Sequence, residues 1–454
     1  MRLIGKLLAA GGAVALIAAA AVPALADPPP GVAPRPGDVV GVGSDTIGYL
    51  LDQFSHDYDK AHPQAPTLLY SWDPVGPAGK TGGAIVTKAG CKAIARPDGS
   101  SAGIAALEAN TIDPAGPNDF CVDYAGSSRA AAASDPGCTV GGICFVPFAS
   151  DAVTWAARDA ASGGTDAPAS LTLPQLKSIY QCKITNWAGV GGKRAPIKPF
   201  LPQTSSGTRA FWLTALGGGT PVVPGSCVSD VHNTLQDNQG TSPVLDSPQV
   251  IVPYSVADYI AQVYHDAPCT IPSCGGSPAC TPTGSENMFG CDQHGVLGIN
   301  KIGGTKPVLP WPPPSPPCPQ CKINPNFSQP FQRVVYIVVR DAATHDDIPA
   351  YLEPFFAAKT ASPPGYVCTS PTAQTDITNY GFLTQIWAGR GNRQLAACGI
   401  PHWDHYRSGG LGAARGEEHA GDVAGQRQCP QSGHDHRAEV VPIIQEARSV
   451  EAGP

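Results

Sequence analysis

No glycine period and no helix-length repeat runs through the 454 residues, which excludes a collagen-like or solenoid architecture. Charge is scarce. Only 14% of residues are charged, low for a disordered chain, while 42% are hydrophobic, enough to build packed cores. Basic residues are outnumbered, 29 Lys and Arg against 36 Asp and Glu, which argues against tracking a nucleic-acid backbone. After residue 26 no stretch reaches about 18 apolar residues, so no transmembrane segment is expected in the remaining chain. No cysteine follows the N-terminal apolar run, so a lipid anchor is not indicated. Ser205 and Ser206 lack the Gly-x-Ser-x-Gly elbow and an assignable histidine partner. Nucleophilic catalysis is therefore not expected, and neither an enzyme nor a cofactor is read here.

What the chain has in abundance is turn-forming sequence and cysteine. It holds 52 glycines, 48 prolines and 15 cysteines, proline standing roughly twofold above ordinary usage. Arg2 and Lys6 precede an alanine-rich apolar run from Leu7 to Val22, and Ala24-Leu25-Ala26 fits a small-x-small cleavage site. Residues 1–26 thus read as a signal peptide, placing the protein outside the cytoplasm, secreted or periplasmic. Removing its two basic residues takes the formal charge from −7 to −9. In an oxidising compartment disulfides are the default, and an odd count leaves at least one thiol over. Cys138 with Cys144 reads as a small closed loop, Cys91 with Cys121 as a tie, and Cys318-Pro-Gln-Cys321 as a disulfide rather than half a zinc site. Full connectivity is not readable from spacing.

Residues 27–38 read as a proline-rich linker. Beyond it, strands and helices alternate: a strand at Val39, a helix from Ile47 to Tyr58, a strand Leu68–Trp72 and a helix opening at Ala102. A strand Ile143–Phe148 leads into an amphipathic stretch Asp151–Ala161. A helix Leu173–Tyr180, a strand Ile197–Leu201 and a helix Arg209–Leu216 follow. Val334–Val339 is an unbroken β-branched strand of the kind covered on both faces. The pattern predicts an α/β fold with largely parallel sheets. Residues 263–325, with six cysteines and Trp311-Pro-Pro-Pro314, read as a disulfide-stapled insertion. From residue 389 the apolar periodicity fades, and 389–454 reads as a disordered tail. Its His402, His405, His419, His434 and His436 are expected to be solvated rather than metal-bound.

Four strand-turn-helix junctions are rich in Gly, Ser and Thr: Gly43-Ser44-Asp45-Thr46, Gly99-Ser100-Ser101, Gly126-Ser127-Ser128-Arg129 and Ser205-Ser206-Gly207-Thr208. Each places free N–H groups and hydroxyls at a helix N-terminus, where the dipole favours an anion. Capping alone explains any one of them. Four in one α/β chain could converge on one ligand.

Leu171-Thr-Leu-Pro-Gln-Leu-Lys-Ser-Ile-Tyr180 with Lys183-Ile-Thr-Asn-Trp187 closely resembles a signature of the phosphate-binding proteins of phosphate ABC importers. The spacing of the four junctions, and Arg333-Val-Val-Tyr-Ile-Val-Val-Arg340, is similar to that family as well. The resemblance covers about residues 39–262 and 326–388. It implies an α/β, two-lobed type-2 periplasmic-binding-protein fold with two crossover strands: lobe 1 from 39–148 and 326–388, lobe 2 from 149–262. A small oxyanion such as phosphate would be clamped in the cleft, and the membrane subunits of an ABC importer would be the partner.

By position, Asp45 and Thr46 with Ser44, then Ser100 with Ser101, then Ser206, Gly207 and Thr208 fall on the family's ligand loops. Two departures stand out. Pro202 occupies the place of the family's arginine, and Ser128-Arg129, after Ser127, that of its proton-accepting aspartate. One reading is an exchange in which Arg129 supplies the cation and Asp45 the acceptor. The other is that Arg129 pairs with Asp45 or Asp123 and the cleft holds something else. A secreted binding, adhesion or sensor module on the same fold is the alternative function.

Overall fold

The computed structural model describes residues 28, 32–76, 81–109, 120–139, 141–265, 293–341, 348–362, 364–386 and 398–400. The expected signal peptide, the histidines of the tail, and Cys269, Cys274, Cys280 and Cys291 lie outside them.

Eight strands among the described residues share one mixed sheet: β1 (Val39–Gly43), β2 (Leu69–Ser71), β3 (Tyr124–Ser127), β4 (Ile143–Arg158), β5 (Lys198–Pro199), β6 (Val250–Ser255), β7 (Leu297–Ile299) and β8 (Gln332–Arg340). Their order is β2-β1-β3-β8-β4-β6-β5, with β7 added beside β4. Pairs β1–β2, β1–β3 and β5–β6 are parallel, while β8 runs antiparallel to both β3 and β4, and β6 antiparallel to β4. The sheet is therefore mixed rather than largely parallel, because two long strands return through its middle.

Those two strands join two α/β halves. Strand β4 pairs with β8 from Ile143 to Ala152, then changes partner and pairs with β6 from Val153 to Ala156. The stretch Asp151–Ala161 expected as a separate amphipathic element is instead largely the second part of one 16-residue strand, buried almost throughout. Its apolar residues satisfy both faces. Along β8, Val334, Tyr336 and Val338 face one hydrophobic cluster with Val42, Ile104 and Phe145. Val335, Ile337 and Val339 face the other, with Leu50, Phe54 and Val146. Alternation of two buried faces is what an unbroken β-branched run encodes.

Helices close these faces. Helix α1 (Gly48–Ala61) buries Leu50, Leu51 and Phe54, and α2 (Ser100–Glu108) buries Ile104 and Leu107. In the second half, α3 (Leu173–Tyr180) starts from a capping box, with Thr172 and Gln175 bonded reciprocally and Pro174 in the first turn. Asn186 caps the following turn, which carries the fully buried Trp187. Trp155, Trp187 and Trp212 are all fully buried, and truncating any of them costs about 3–5 kcal/mol.

The segment expected as a stapled insertion is in part core. Between residues 293 and 325 it supplies β7 and buries Ile302, Val308, Cys318, Cys321 and Ile323. Disulfides join Cys91–Cys121, Cys138–Cys144 and Cys318–Cys321, and two further pairs form, Cys182–Cys227 and Cys368–Cys398. The last one ties Cys398, within the expected tail, back to the fold. No helix among the described residues is long and apolar enough to cross a membrane.

Candidate functional site

Parallel strands β1 and β3 end side by side, and the turns leaving them point at the N-terminus of α4 (Gly207–Gly217) in the other half. This is the crevice beyond strand carboxyl ends where α/β sheets take ligands. Two glycines permit the approach. Gly99, at φ +94°, has Ser205 O where a Cβ would come within 2.7 Å, and at Gly207 a Cβ would come within 2.3 Å of both Ser100 Oγ and Ser128 Oγ.

Six hydroxyls meet here. Ser44 and Thr46 donate to Ser128 Oγ at 3.1 and 3.0 Å, Ser100 Oγ lies 3.3 Å from Ser128 Oγ, and Thr46 Oγ1 lies 3.2 Å from Thr208 Oγ1. Ser206, the N-cap of α4, accepts from Arg209 N and donates to Asp237 Oδ2 at 2.5 Å. Thr46 also reaches Asp237 Oδ1 at 3.2 Å. Every one of these side chains is at most 3% exposed. The hydroxyls satisfy one another across the two halves, a closed arrangement of the cleft.

The cation of the cluster is Arg333, the second residue of β8. Register places it directly opposite Asp151 of β4, next to the point where β4 changes partner. Its Nε donates to Asp151 Oδ2 at 2.9 Å, and Nη2 lies 2.7 Å from the same oxygen as an ion pair. Nη1 is left to donate to Thr208 Oγ1 at 2.9 Å and to the Ser128 carbonyl at 3.1 Å, and Nη2 stands 3.5 Å from Thr46 Oγ1. Asp151 is fixed by Ser255 Oγ and the backbone N–H groups of Ala152 and Ala257. A guanidinium held this way aims its remaining N–H into the hydroxyls instead of wandering.

The other arginine stands elsewhere. Arg129 grips Asp135 with Nη1 at 2.6 Å and Nη2 at 3.0 Å, gives Nε to Ser101 Oγ at 3.0 Å and a further bond to the Ala130 carbonyl. Ser127 is turned to the backbone of Arg129. Of the residues expected at the site, Ser44, Thr46, Ser100, Ser128, Ser206, Gly207 and Thr208 come together. Ser101, Ser127 and Arg129 form a separate group with Asp135. Arg129 thus pairs with neither Asp45 nor Asp123; Asp123 is matched by the buried Lys88 at 2.8 Å.

Asp45 sits at the edge of the cluster. Its Oδ2 accepts from the Asp237 N–H at 3.2 Å and its carbonyl from Asn238 Nδ2 at 2.9 Å, while Oδ1 is buried without a partner. Burial, and then the Asp237 and Asp98 carboxylates, push its carboxyl well above the usual range. Asp98 spans the two halves on the rim. It accepts from Gln203 Nε2 at 3.0 Å and Gln236 Nε2 at 3.1 Å, and burial raises it to about 6.

Asp237, Asp151, Asp98 and Arg333 escaped the sequence reading. Arg333 had a signal, a charge opening a strand buried on both faces. Asp237, in Leu235-Gln-Asp-Asn238, had none. Among the described residues, the His, Cys, Asp or Glu trio close enough for a metal is Cys138, Cys144 and Asp341, whose two cysteines are already joined.

Residues 28–260 match the PBP superfamily domain. No curated protein matches the chain. Among solved structures it is similar to an ABC-type phosphate transport receptor from Vibrio cholerae, 16% identical, over 76% of this chain and 99% of that one, with a TM-score of 0.42. It is also similar to a human phosphate-binding apolipoprotein, 14% identical, over 76% of this chain and 91% of that one, with a TM-score of 0.42. With more than half its length inside that domain, two α/β halves and two strands shared between them, the chain belongs to the PBP superfamily.

Proposed function

We propose that the protein is an exported solute-binding protein that clamps a small oxyanion, phosphate, between its halves. In the lobe boundaries given above, lobe 1 contributes Ser44, Thr46, Ser100 and Ser128, lobe 2 contributes Ser206 and Thr208, and Arg333 on the returning strand supplies the cation. The single observation behind this reading is that buried convergence of hydroxyls from both halves on a guanidinium with donors to spare.

A tetrahedral oxyanion offers acceptors on four corners, which suits hydroxyls that otherwise can only bond to each other. The N-termini of α2 and α4 add backbone N–H groups and the positive end of each dipole. The overall acidity of the chain does not oppose this, because dipoles and one fixed cation set the field inside a narrow cleft. Opening the halves about β4 and β8 would expose the hydroxyls, and closure would bring them back around the ligand, which would take the place of their bonds to one another. The protein acts by holding its ligand rather than transforming it, and the rims of the cleft would dock on importer membrane subunits.

Calorimetric titration of the oxidised, ligand-stripped protein with phosphate and then sulfate tests this. Saturable phosphate binding is expected. Heat with neither anion would mean that the fold is kept and the site serves a different solute or a protein partner, as a sensor or adhesion module would.

A further inference from the structure

The cluster holds more carboxyl than its cation can answer. Asp45 and Asp237 are neighbours: the Asp237 N–H donates to Asp45 Oδ2 at 3.2 Å, and both side chains are buried. Asp237 spends its own oxygens on Thr46 and Ser206. The other charged groups around the pair come from four further segments. Asp98 precedes α2 and acts on Asp45 through space, and Asp258 of the Val256–Tyr259 helical turn is close enough to feel Asp237. Asp151 of β4 and Arg333 of β8 complete the set, but they are bonded to each other.

A second carboxylate beside it in a dry site disfavours the ionised form of Asp45. Asp45 is 2% exposed and its Oδ1 has no partner. An ionised, unpartnered buried oxygen is costly, whereas a protonated one is a donor waiting for an acceptor.

We propose that Asp45 carries a proton in the closed cleft and presents it to the bound oxyanion, so that Asp45 acts as a donor and closure on phosphate takes up a proton. The inference rests on the oxyanion reading of the cleft. It reverses the role that the resemblance implied for a site carboxylate, which was to accept the ligand's proton. When the cleft opens, water reaches Asp45 and its carboxyl can ionise. When it closes on an anion, the extra negative charge draws the proton back. Affinity for phosphate should therefore fall as pH rises, by up to about tenfold per unit once Asp45 is ionised in the open cleft.

The test is calorimetry with inorganic phosphate on the full chain between pH 5 and 8.5, in two buffers of different ionisation enthalpy at each pH. The expected result is an observed heat that depends on the buffer, corresponding to uptake of about one proton per phosphate near neutrality. Since phosphate itself titrates, the Asp45→Asn variant decides where the proton goes. Its amide donates at every pH, so phosphate should still bind while the buffer dependence and the pH slope both shrink. Wild-type binding with heats independent of buffer overturns the proton on Asp45 alone. A D45N protein that keeps the wild-type slope also overturns it, by placing the proton on the ligand. No phosphate heat at any pH overturns the oxyanion reading together with this one.

Discussion

Two arginine–aspartate pairs lie close to the cleft, and they differ in what is left over. Arg129 and Asp135 are six residues apart in one half, and their side chains are 10% and 7% exposed. The four hydrogen bonds of Arg129 are all local, to Asp135, Ser101 and the Ala130 carbonyl. Arg333 and Asp151 face each other across the two strands shared by both halves, at 2% and 0%. There a single carboxylate oxygen takes two guanidinium nitrogens, and the third points into hydroxyls from both sides. A closed pair fastens a loop. A pair with one open donor makes a fixed cation, which is what anion binding needs. The helix-junction motif drew attention to the first pair, but ladder register built the second.

The largest effect should come from opening the second pair. Arg333→Met leaves Asp151 buried and uncompensated, a loss of about 3–5 kcal/mol in stability, and should reduce phosphate affinity at least about 100-fold. Because the single variant could fail to fold, the double variant R333M/D151L is the sharper measurement. It removes both charges and should recover much of the stability, since replacing a buried ion pair by apolar groups is often neutral. Binding should stay lost. A double variant that binds phosphate like wild type would break the contrast between the two pairs.

Arg129→Ala should do the reverse. Asp135 still accepts from the Ala132 N–H at 2.6 Å, so the loop loses about 1–3 kcal/mol rather than its whole anchorage. Phosphate affinity should change by less than about threefold, under ~0.7 kcal/mol, because no donor of Arg129 faces the hydroxyl cluster. A hundredfold loss in the same titration would reinstate Arg129 as the ligand's cation and return Arg333 to scaffolding.

How far the sequence carried this reading depends on the range of the interaction. Helix α3 was legible to the residue, because Thr172, Pro174 and Gln175 state its start locally. The turns bearing Ser44, Ser100, Ser128 and Ser206 were legible too, as glycine and hydroxyl clusters after strands. Yet the most specific motif, from Leu171 to Trp187, builds core: Tyr180 and Trp187 are fully buried and bond to the Phe200 and Gln249 carbonyls. It identifies the scaffold and touches none of the clustered hydroxyls. What stayed hidden were pairings over long sequence distances, such as Arg333 with Asp151 and Asp237 with Asp45. Strand register and the closing of the halves determine these, and no local pattern announces them. The sheet was misjudged for the same reason, since returning strands β4 and β8 read locally like any parallel core strand.

A third acid arrangement, with no arginine, offers the smallest and most selective check. On α1, Asp57 accepts from Gln53 Nε2 at 2.9 Å and pairs with His56 at 3.0 Å. Burial works to raise it, but those partners outweigh burial and hold it below its ordinary value. Asp376, on the helix Pro371–Asn379, meets Asp57 and is raised to about 7, by burial first and then by that neighbour. A raised carboxyl contributes stability that is fully present below about pH 4 and is lost as pH climbs through about 7. Asp376→Asn should therefore narrow the difference in melting temperature between pH 5 and pH 8, by about 1–2 °C. Phosphate binding should keep its wild-type pH slope, because this pair lies outside the cleft. If D376N instead flattened the binding slope, proton uptake would belong to the fold at large. If it altered only the melting curve, the Asp57–Asp376 pair would be excluded as the source of proton uptake, and the Asp45→Asn titration would decide between Asp45 and the ligand.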